Sequence, residues 1–173
     1  ITAVAAMLLG IVSETTKAAI AEQSAKTEAE AMAAVMPEDG IEFETLYDVT
    51  VGDQLDGTIK KVAKAIKGGE TIGYVLTTAP SGFGGEVSTM LGVDMDGVVT
   101  GLRVLSHAET PGLGALATSP DFYEQFVGAK SPVQVTKDGG EIVPITSATI
   151  TSRAVSSGAD EAVQWVNANG GAN

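Results

Sequence analysis

The sequence predicts an α+β fold with a mostly antiparallel sheet and helices at its edges. Short apolar runs over Thr71–Ala79, Glu86–Asp94 and Val98–Ser106 are bounded by turn residues, which is typical of strands. The pair Asp96–Gly97 stands between two of these runs and predicts a hairpin, because glycine adopts the positive φ that a tight turn needs. A final helix is expected from about Ser152 to Asn167, after the last strand.

The chain begins with twelve uncharged residues, 1–12. A bilayer-spanning helix needs about 20 apolar residues. The run is therefore compatible with the end of a transmembrane anchor, the end of a signal-peptide hydrophobic region or an apolar core helix. Residues 13–36 are rich in Ala, Glu, Lys and Gln, which predicts a solvated connecting helix that Pro37 and Gly40 terminate. One main domain is expected over residues 37–173.

Two shorter segments of the main domain carry weaker signals. Ile59–Lys67 (IKKVAKAIK) fits either an amphipathic helix or a strand, and its lysines are expected to form a solvated face. Ser119 and Pro120 are suited to the cap and first position of a helix, and Asp121 adds an acidic first turn. A short helix is therefore predicted to run through Phe126.

Composition excludes several classes of function. The formal net charge of −12 argues against nucleic-acid binding, because an acidic surface repels a phosphate backbone. The absence of cysteine excludes disulfides, cysteine-ligated zinc, iron–sulfur clusters and cysteine nucleophiles. His107 is the single histidine, so a histidine-rich metal centre is excluded and no metal site is predicted. A redox function would depend on an organic cofactor or on a haem with one histidine ligand.

Two glycine-containing loops are candidates for ligand contact. Ser81–Gly85 (SGFGG) joins two predicted strands, and its glycines would let the backbone approach a flat ligand, although a flexible connection is the plainer interpretation. His107–Gly114 (HAETPGLG) follows a predicted strand. His107 and Glu109 have the residue types of an acid–base pair, but such a segment is more often a rigid turn. No catalytic residue is assigned.

A third segment, Thr146–Ser152 (TSATITS), holds five hydroxyl residues just before the final helix. Hydroxyls at this position are expected to cap the helix by accepting hydrogen bonds from its free N–H groups. The same position suits a phosphate group, since a helix N-terminus attracts anions. Arg153 would then add a charge-assisted contact. From the residues alone, capping is the favoured interpretation.

These three segments occur together, in this order, in the G subunits of Rnf-type electron-transport complexes, which the chain resembles over essentially its whole length. It is also similar to the related C subunits of sodium-translocating NADH:quinone oxidoreductase. The matching pieces are Gly73–Tyr74, SGFGGEV at Ser81–Val87, the run Gly92–Gly114 and SATITSRAV at Ser147–Val155. The resemblance implies one N-terminal transmembrane helix, ending in residues 1–12, followed by an FMN-binding domain outside the cytoplasm.

In this family a threonine in the sequence Ser/Thr-Gly-Ala-Thr carries FMN through a phosphoester bond. Thr146, Ser147, Ala148 and Thr149 align with this motif, so the resemblance implies covalent FMN on Thr149. It further implies that the ETPGLG loop lies against the isoalloxazine ring. The ring contacts expected on this basis are Glu109, Thr110, Gly112, Leu113 and Gly114.

The chain departs from the family motif at two positions. Ser147 stands where the motif has glycine, and Val143 stands where an aspartate is usual. Both positions help the flavin transferase to recognise its target. A serine fits the glycine position without strain only where φ is negative.

The resemblance implies a membrane-anchored electron-transfer subunit that carries FMN. Its expected partners are the membrane and redox subunits of the same complex and the flavin transferase that matures it. The complex would couple ferredoxin and NAD redox chemistry to sodium or proton transport, and the isolated chain would have no complete turnover. Three alternatives stay open: a C-type subunit of the quinone reductase, a flavin-free structural subunit of the same fold, and a free-standing extracytoplasmic flavin reductase or carrier.

Overall fold

A computed structural model of the chain describes residues 26–53, 55 and 57–170. The chain divides into two units, residues 1–31 and 32–173, and the sheet and the helices that follow it belong to the second. The predicted anchor at residues 1–12 lies outside the described residues. Helix α1 is described over residues 26–35 and ends before Pro37, as the sequence predicts. Within the described ranges, no helix has both the length and the apolar composition to cross a membrane.

The main unit is built on a five-stranded sheet in which every neighbouring pair is antiparallel and the strands follow one another in sequence order. This confirms the predicted α+β class with an antiparallel sheet. The strands are β1 (Ile41–Asp48), β2 (Ile59–Lys67), β3 (Glu70–Thr78), β4 (Ser88–Asp94) and β5 (Val99–Ser106).

The sheet decides between the two predictions for Ile59–Lys67 and contains one strand that was not predicted. Ile59–Lys67 is the strand β2, so the amphipathic-helix alternative is wrong. No strand was predicted at β1, an edge strand of sequence IEFETLYD that pairs with β2 alone. Charged residues are common on such edges, because they oppose pairing with other chains.

The predicted hairpin between β4 and β5 is confirmed, and the Asp94 side chain organises it. The Asp94 carboxylate accepts hydrogen bonds from the backbone N–H groups of Asp96 and Val98, each at 2.9 Å. Gly97 has φ +69°, the left-handed conformation that the turn requires.

Helices follow the last strand. The predicted short helix is α2 (Pro120–Tyr123), which continues as a 3-10 turn through Phe126. The final helix, α3 (Thr149–Asn169), begins three residues before the predicted Ser152. This earlier start makes Thr149 the first residue of the helix.

The core lies between the sheet and α3. The buried side chains of Leu76, Leu91 and Leu102 belong to one cluster with Val155 and Val163 of the helix. The loops that follow β3 and β5 both lie at the end of the sheet where β4 begins, since Thr78 and Ser106 pair with Thr89 and Ser88. The N-terminus of α3 reaches the same end, where the three segments of interest converge.

Replacement of Leu91 by alanine should lower the free energy of unfolding by about 3 kcal/mol, because it leaves a cavity in a fully buried site. Urea denaturation measures the change. The control is Val51→Ala, at a side chain that is 80% exposed. Equal losses in the two variants would contradict the assignment of Leu91 to the core.

Candidate functional site

The carboxylate of Glu109 joins the three segments. It is buried, with 6% of the residue exposed. Its Oε1 accepts hydrogen bonds from the backbone N–H groups of Phe83 at 2.8 Å and Gly84 at 2.9 Å. Its Oε2 accepts a 2.6 Å hydrogen bond from the hydroxyl of Thr151 in α3. One side chain therefore ties the loop after β3 and the first turn of α3 to the loop after β5.

These bonds also decide the charge of Glu109. Burial raises the pKa of the carboxyl, but the hydrogen bonds from Thr151 and from the Gly84 and Phe83 amides outweigh burial, and the net pKa lies below the ordinary value. His107 adds a smaller lowering contribution. Its Nδ1 accepts from the backbone N–H of Glu109 at 3.2 Å, which supports the rigid-turn interpretation over an acid–base dyad. Glu109 is an ionised structural group.

The glycines at this junction allow chain segments to touch. A Cβ on Gly82 or Gly114 would collide with the Glu109 carboxylate, and one on Gly84 would collide with the carbonyl group of Ala108. The SGFGG segment is therefore more than a flexible connection, because its glycines permit close contact with the loop after β5. The absence of a Cβ, which was expected to let a flat ligand approach the backbone, here permits close contact within the protein.

Beside this junction lies a cleft of about 340 Å³, within the usual size range for small-molecule sites. Large apolar side chains stand exposed in it, with Phe83 73%, Leu113 41% and Ile150 52% exposed. The residues that line the cleft are Phe83, Glu109, Thr110, Leu113, Gly114, Ser147, Ala148, Thr149, Ile150 and Thr151.

Seven of these lining residues were singled out from the sequence: Glu109, Thr110, Leu113, Gly114, Ser147, Ala148 and Thr149. Three other candidates, Thr146, Gly112 and Arg153, lie outside the lining. Phe83 lies in the SGFGG loop, and its glycine-rich context was the available signal. Ile150 and Thr151 were not predicted to line the cleft, because the final helix was expected to begin only at about Ser152.

The hydroxyl residues do not cap α3, so that expectation is wrong. The N-cap residue is Ala148, and no side chain caps the helix. The Ser152 hydroxyl instead donates to the Ala148 carbonyl and accepts from the Ile145 N–H, which braces the turn before the helix. The first-turn residues Thr149, Ile150 and Thr151, whose N–H groups have no intrahelical acceptor, line the cleft.

The Thr149 hydroxyl has a cationic partner that no sequence pattern indicated. Lys137 Nζ donates a hydrogen bond to Thr149 Oγ1 at 3.0 Å. Lys137 lies in a 3-10 turn, Thr136–Asp138, far enough before α3 in the chain that no local spacing links it to Thr149. Only the fold brings the two residues together.

Arg153 has a partner of its own. Its Nε and Nη2 each donate to a different carboxylate oxygen of Asp138 at 2.6 Å. The hydrogen bond from Arg153 is the main reason why the pKa of Asp138 lies below its ordinary value. The guanidinium is therefore held by a carboxylate, outside the cleft.

The turn before Thr149 contains an unusual backbone conformation. Ser147 has φ +62° and is the single non-glycine residue with positive φ among those the structure describes. This is the position where the resembling family has glycine. Serine is strained there, because its Cβ approaches the carbonyl oxygen in the left-handed conformation. The φ value gives the physical reason for glycine in the motif.

Glu109→Gln should lower the free energy of unfolding by about 1–3 kcal/mol at pH 7. The reason is that the glutamine side-chain NH2 would face the backbone N–H groups or the Thr151 hydroxyl, which now donate to the carboxylate. The lowered pKa means that the carboxylate stabilises the fold above the ordinary value of 4.5. This contribution is lost as the pH falls through the folded-state pKa, so wild type and variant should converge in acid. Urea titrations from neutral to acidic pH measure this, with exposed Glu141→Gln as control. A gap that is constant with pH would contradict the role of the carboxylate.

Ser147→Gly should raise the thermal midpoint, with a gain of about 0.5–1 kcal/mol, because glycine adopts positive φ without the Cβ contact. Ser147→Ala is the matched control, since it removes the hydroxyl and keeps the Cβ. Differential scanning calorimetry on the three proteins measures the difference. A gain in the alanine variant equal to that of the glycine variant would show that backbone strain is not the cause.

Comparison with known proteins shows that the cleft lies within a matched domain. The FMN-binding domain family matches residues 82–164, which contain the whole cleft lining. Two solved structures share the fold: the C subunit of the Na(+)-translocating NADH-quinone reductase from Parabacteroides distasonis and NqrC from Shewanella oneidensis. The first has a TM-score of 0.55 at 19% identity and covers 82% of this chain and 89% of that chain. The second has a TM-score of 0.51 at 17% identity, with 80% and 74% covered.

Sequence relatives are closer. The G subunit of the ion-translocating oxidoreductase complex of Methanosarcina acetivorans is 35% identical over 173 residues, which are 99% of this chain and 92% of that protein. The G subunit of the Na(+)-translocating ferredoxin:NAD(+) oxidoreductase complex of Acetobacterium woodii is 37% identical, with 95% and 86% covered. With this identity over nearly the full length of both partners, the chain belongs to the family of G subunits of ion-translocating oxidoreductase complexes.

Proposed function

We propose that the chain is an electron-transfer subunit of an Rnf-type complex and carries FMN covalently on Thr149. The observation that supports this best is the position of Thr149 at the start of α3, half-buried and lining the apolar cleft. A phosphate bonded to its hydroxyl would lie at a helix N-terminus, where backbone amides and the helix dipole favour an anion. The ring system of the same molecule would then extend into the cleft.

The residues present fit this group. The cleft is open, mainly apolar and bordered by a flat aromatic side chain, Phe83, which is 73% exposed. Glu109 accepts three hydrogen bonds from the protein, so its carboxylate fixes the cleft wall. Covalent attachment needs no cysteine, and the chain has none.

FMN supplies the electron chemistry when bound, since it accepts and releases electrons one or two at a time. The chain's own residues position the group and shield it. Leu113 and Ile150 are exposed apolar side chains of the cleft and would exclude water from a bound ring. The Glu109 hydrogen bonds keep the wall rigid, so that the distance to a neighbouring redox subunit stays constant.

The similarity to subunits of larger complexes supports the proposal that this chain also belongs to an assembly. The relatives are subunits of ion-translocating complexes, one of which transfers electrons between ferredoxin and NAD(+). We therefore propose other membrane and redox subunits as partners, and a flavin transferase for maturation. We also propose an N-terminal anchor that holds the FMN domain on the extracytoplasmic side of the cell membrane. The isolated chain is then one carrier in a relay and has no complete turnover.

Thr149→Ala should abolish covalent flavin, because no oxygen is left at the attachment position. The full chain is produced together with a flavin transferase, denatured, separated on a gel and examined for flavin fluorescence. Thr118→Ala is the matched control, since Thr118 is exposed and lies outside both the attachment motif and the cleft lining. Wild type and Thr118→Ala should fluoresce equally.

Two other outcomes would contradict the proposed attachment of FMN to Thr149. Fluorescence that survives in Thr149→Ala would place the attachment elsewhere. A wild-type band without fluorescence would show that the chain carries no covalent flavin. The flavin-free structural subunit would then be the remaining hypothesis.

A further inference from the structure

The Lys137 side chain makes the one charged contact to the Thr149 hydroxyl that the described part of the chain contains. Lys137 is exposed and Thr149 is half-buried, so the pair stands at the border between the cleft and solvent. We propose that Lys137 is a positioning residue for the attachment of FMN to Thr149. This inference rests on the proposed function and adds a residue that neither the motif nor the cleft lining contains.

The fold holds Lys137 in place through its neighbour. Asp138 forms a two-point ion pair with Arg153, which lies one turn into α3. The 3-10 turn that carries Lys137 is thereby fastened to α3 one helical turn after Thr149. Gly139, with φ +94°, closes the 3-10 turn directly after Asp138. A lysine stem is flexible, but its backbone origin is fixed relative to Thr149.

The local charge has the sign that a phosphate needs. The cluster contains two cations, Lys137 and Arg153, and one carboxylate, Asp138, which leaves one net positive charge. The whole chain has a formal net charge of −12. A positive cluster on such a protein is a local attraction for an incoming phosphate, and Lys137 is the member that contacts the acceptor oxygen.

The attachment step shows what the ammonium contributes. The bond that forms joins Thr149 Oγ1 to the phosphorus of the FMN moiety of a flavin dinucleotide. The bond that breaks is the pyrophosphate P–O bond, and the nucleoside monophosphate leaves with the bridging oxygen. The hydroxyl proton passes to a base of the transferase. Lys137 donates to one lone pair of Oγ1, which restricts rotation of the hydroxyl and leaves the other lone pair for attack.

The same ammonium also suits the product. A phosphodiester on Thr149 keeps one negative charge, and an ammonium within hydrogen-bond reach stabilises it by a charge-assisted bond. This stabilisation increases as the charged phosphate group approaches Thr149 Oγ1 and the new phosphorus–oxygen bond forms. An interaction of this kind accelerates the step more than it strengthens the encounter with the transferase.

The test is the rate of FMN incorporation into the full chain by purified transferase with a flavin dinucleotide. Lys137→Met keeps the length of the stem and removes the charge, and it should lower kcat about tenfold or more. The KM for the acceptor chain and the thermal midpoint should stay unchanged. Lys137→Arg should recover most of the rate. Lys130→Met removes a lysine elsewhere on the domain and should match the wild type.

The outcomes separate this inference from the function on which it rests. A wild type that incorporates no FMN overturns both. A wild type labelled at Thr149, with Lys137→Met labelled equally fast, overturns the role of Lys137 alone. A rise in KM at constant kcat would make Lys137 a contact for the transferase. A fall in the thermal midpoint, or no recovery with arginine, would make it a structural residue.

Discussion

A buried carboxylate is costly unless its oxygens are satisfied, and the architecture of the site depends on how Glu109 meets this condition. Its partners are two backbone amides from one loop and a hydroxyl from α3. Each donor must come within hydrogen-bond distance, which forces the loop after β3, the loop after β5 and the start of α3 together. The glycines at this junction follow from the same constraint, because a Cβ at Gly82 or Gly114 would occupy the space of the carboxylate.

The parts of the fold that the sequence predicted are those set by local patterns. β3, β4 and β5 are short apolar runs with turn residues between them, and their hairpin depends on Asp94 and Gly97, which are close in sequence. β1 was missed because an edge strand is half exposed and its charged residues resemble a loop. Seven of the cleft residues were selected from the recognised motifs, while Phe83 and Ile150 lie in the same motifs and were not selected, because their exposure to the cleft depends on how the motifs pack.

The contacts that escaped prediction are tertiary. Lys137 and Thr149 lie in different turns with no shared period, and the Asp138–Arg153 pair is likewise a product of the fold. The start of α3 was misplaced for a different reason. Hydroxyl residues suggested caps, but Thr151 and Ser152 bond to Glu109 and to the preceding turn, so Ala148 becomes the cap position. Side chains recruited by tertiary partners are unavailable for the local role that their type suggests.

The strand order bears on the sequence of folding events. Every strand pairs with its neighbour in the chain, so the sheet can grow through short loop closures, which are entropically cheap and fast. The bond between Glu109 and Thr151 closes a much longer loop and requires α3 to dock. We therefore expect the cleft to exist only in molecules that have completed folding. Under the proposed function, Thr149 at the first position of α3 is presented to the flavin transferase only by molecules that have finished folding, so helix docking would act as a quality checkpoint for cofactor loading.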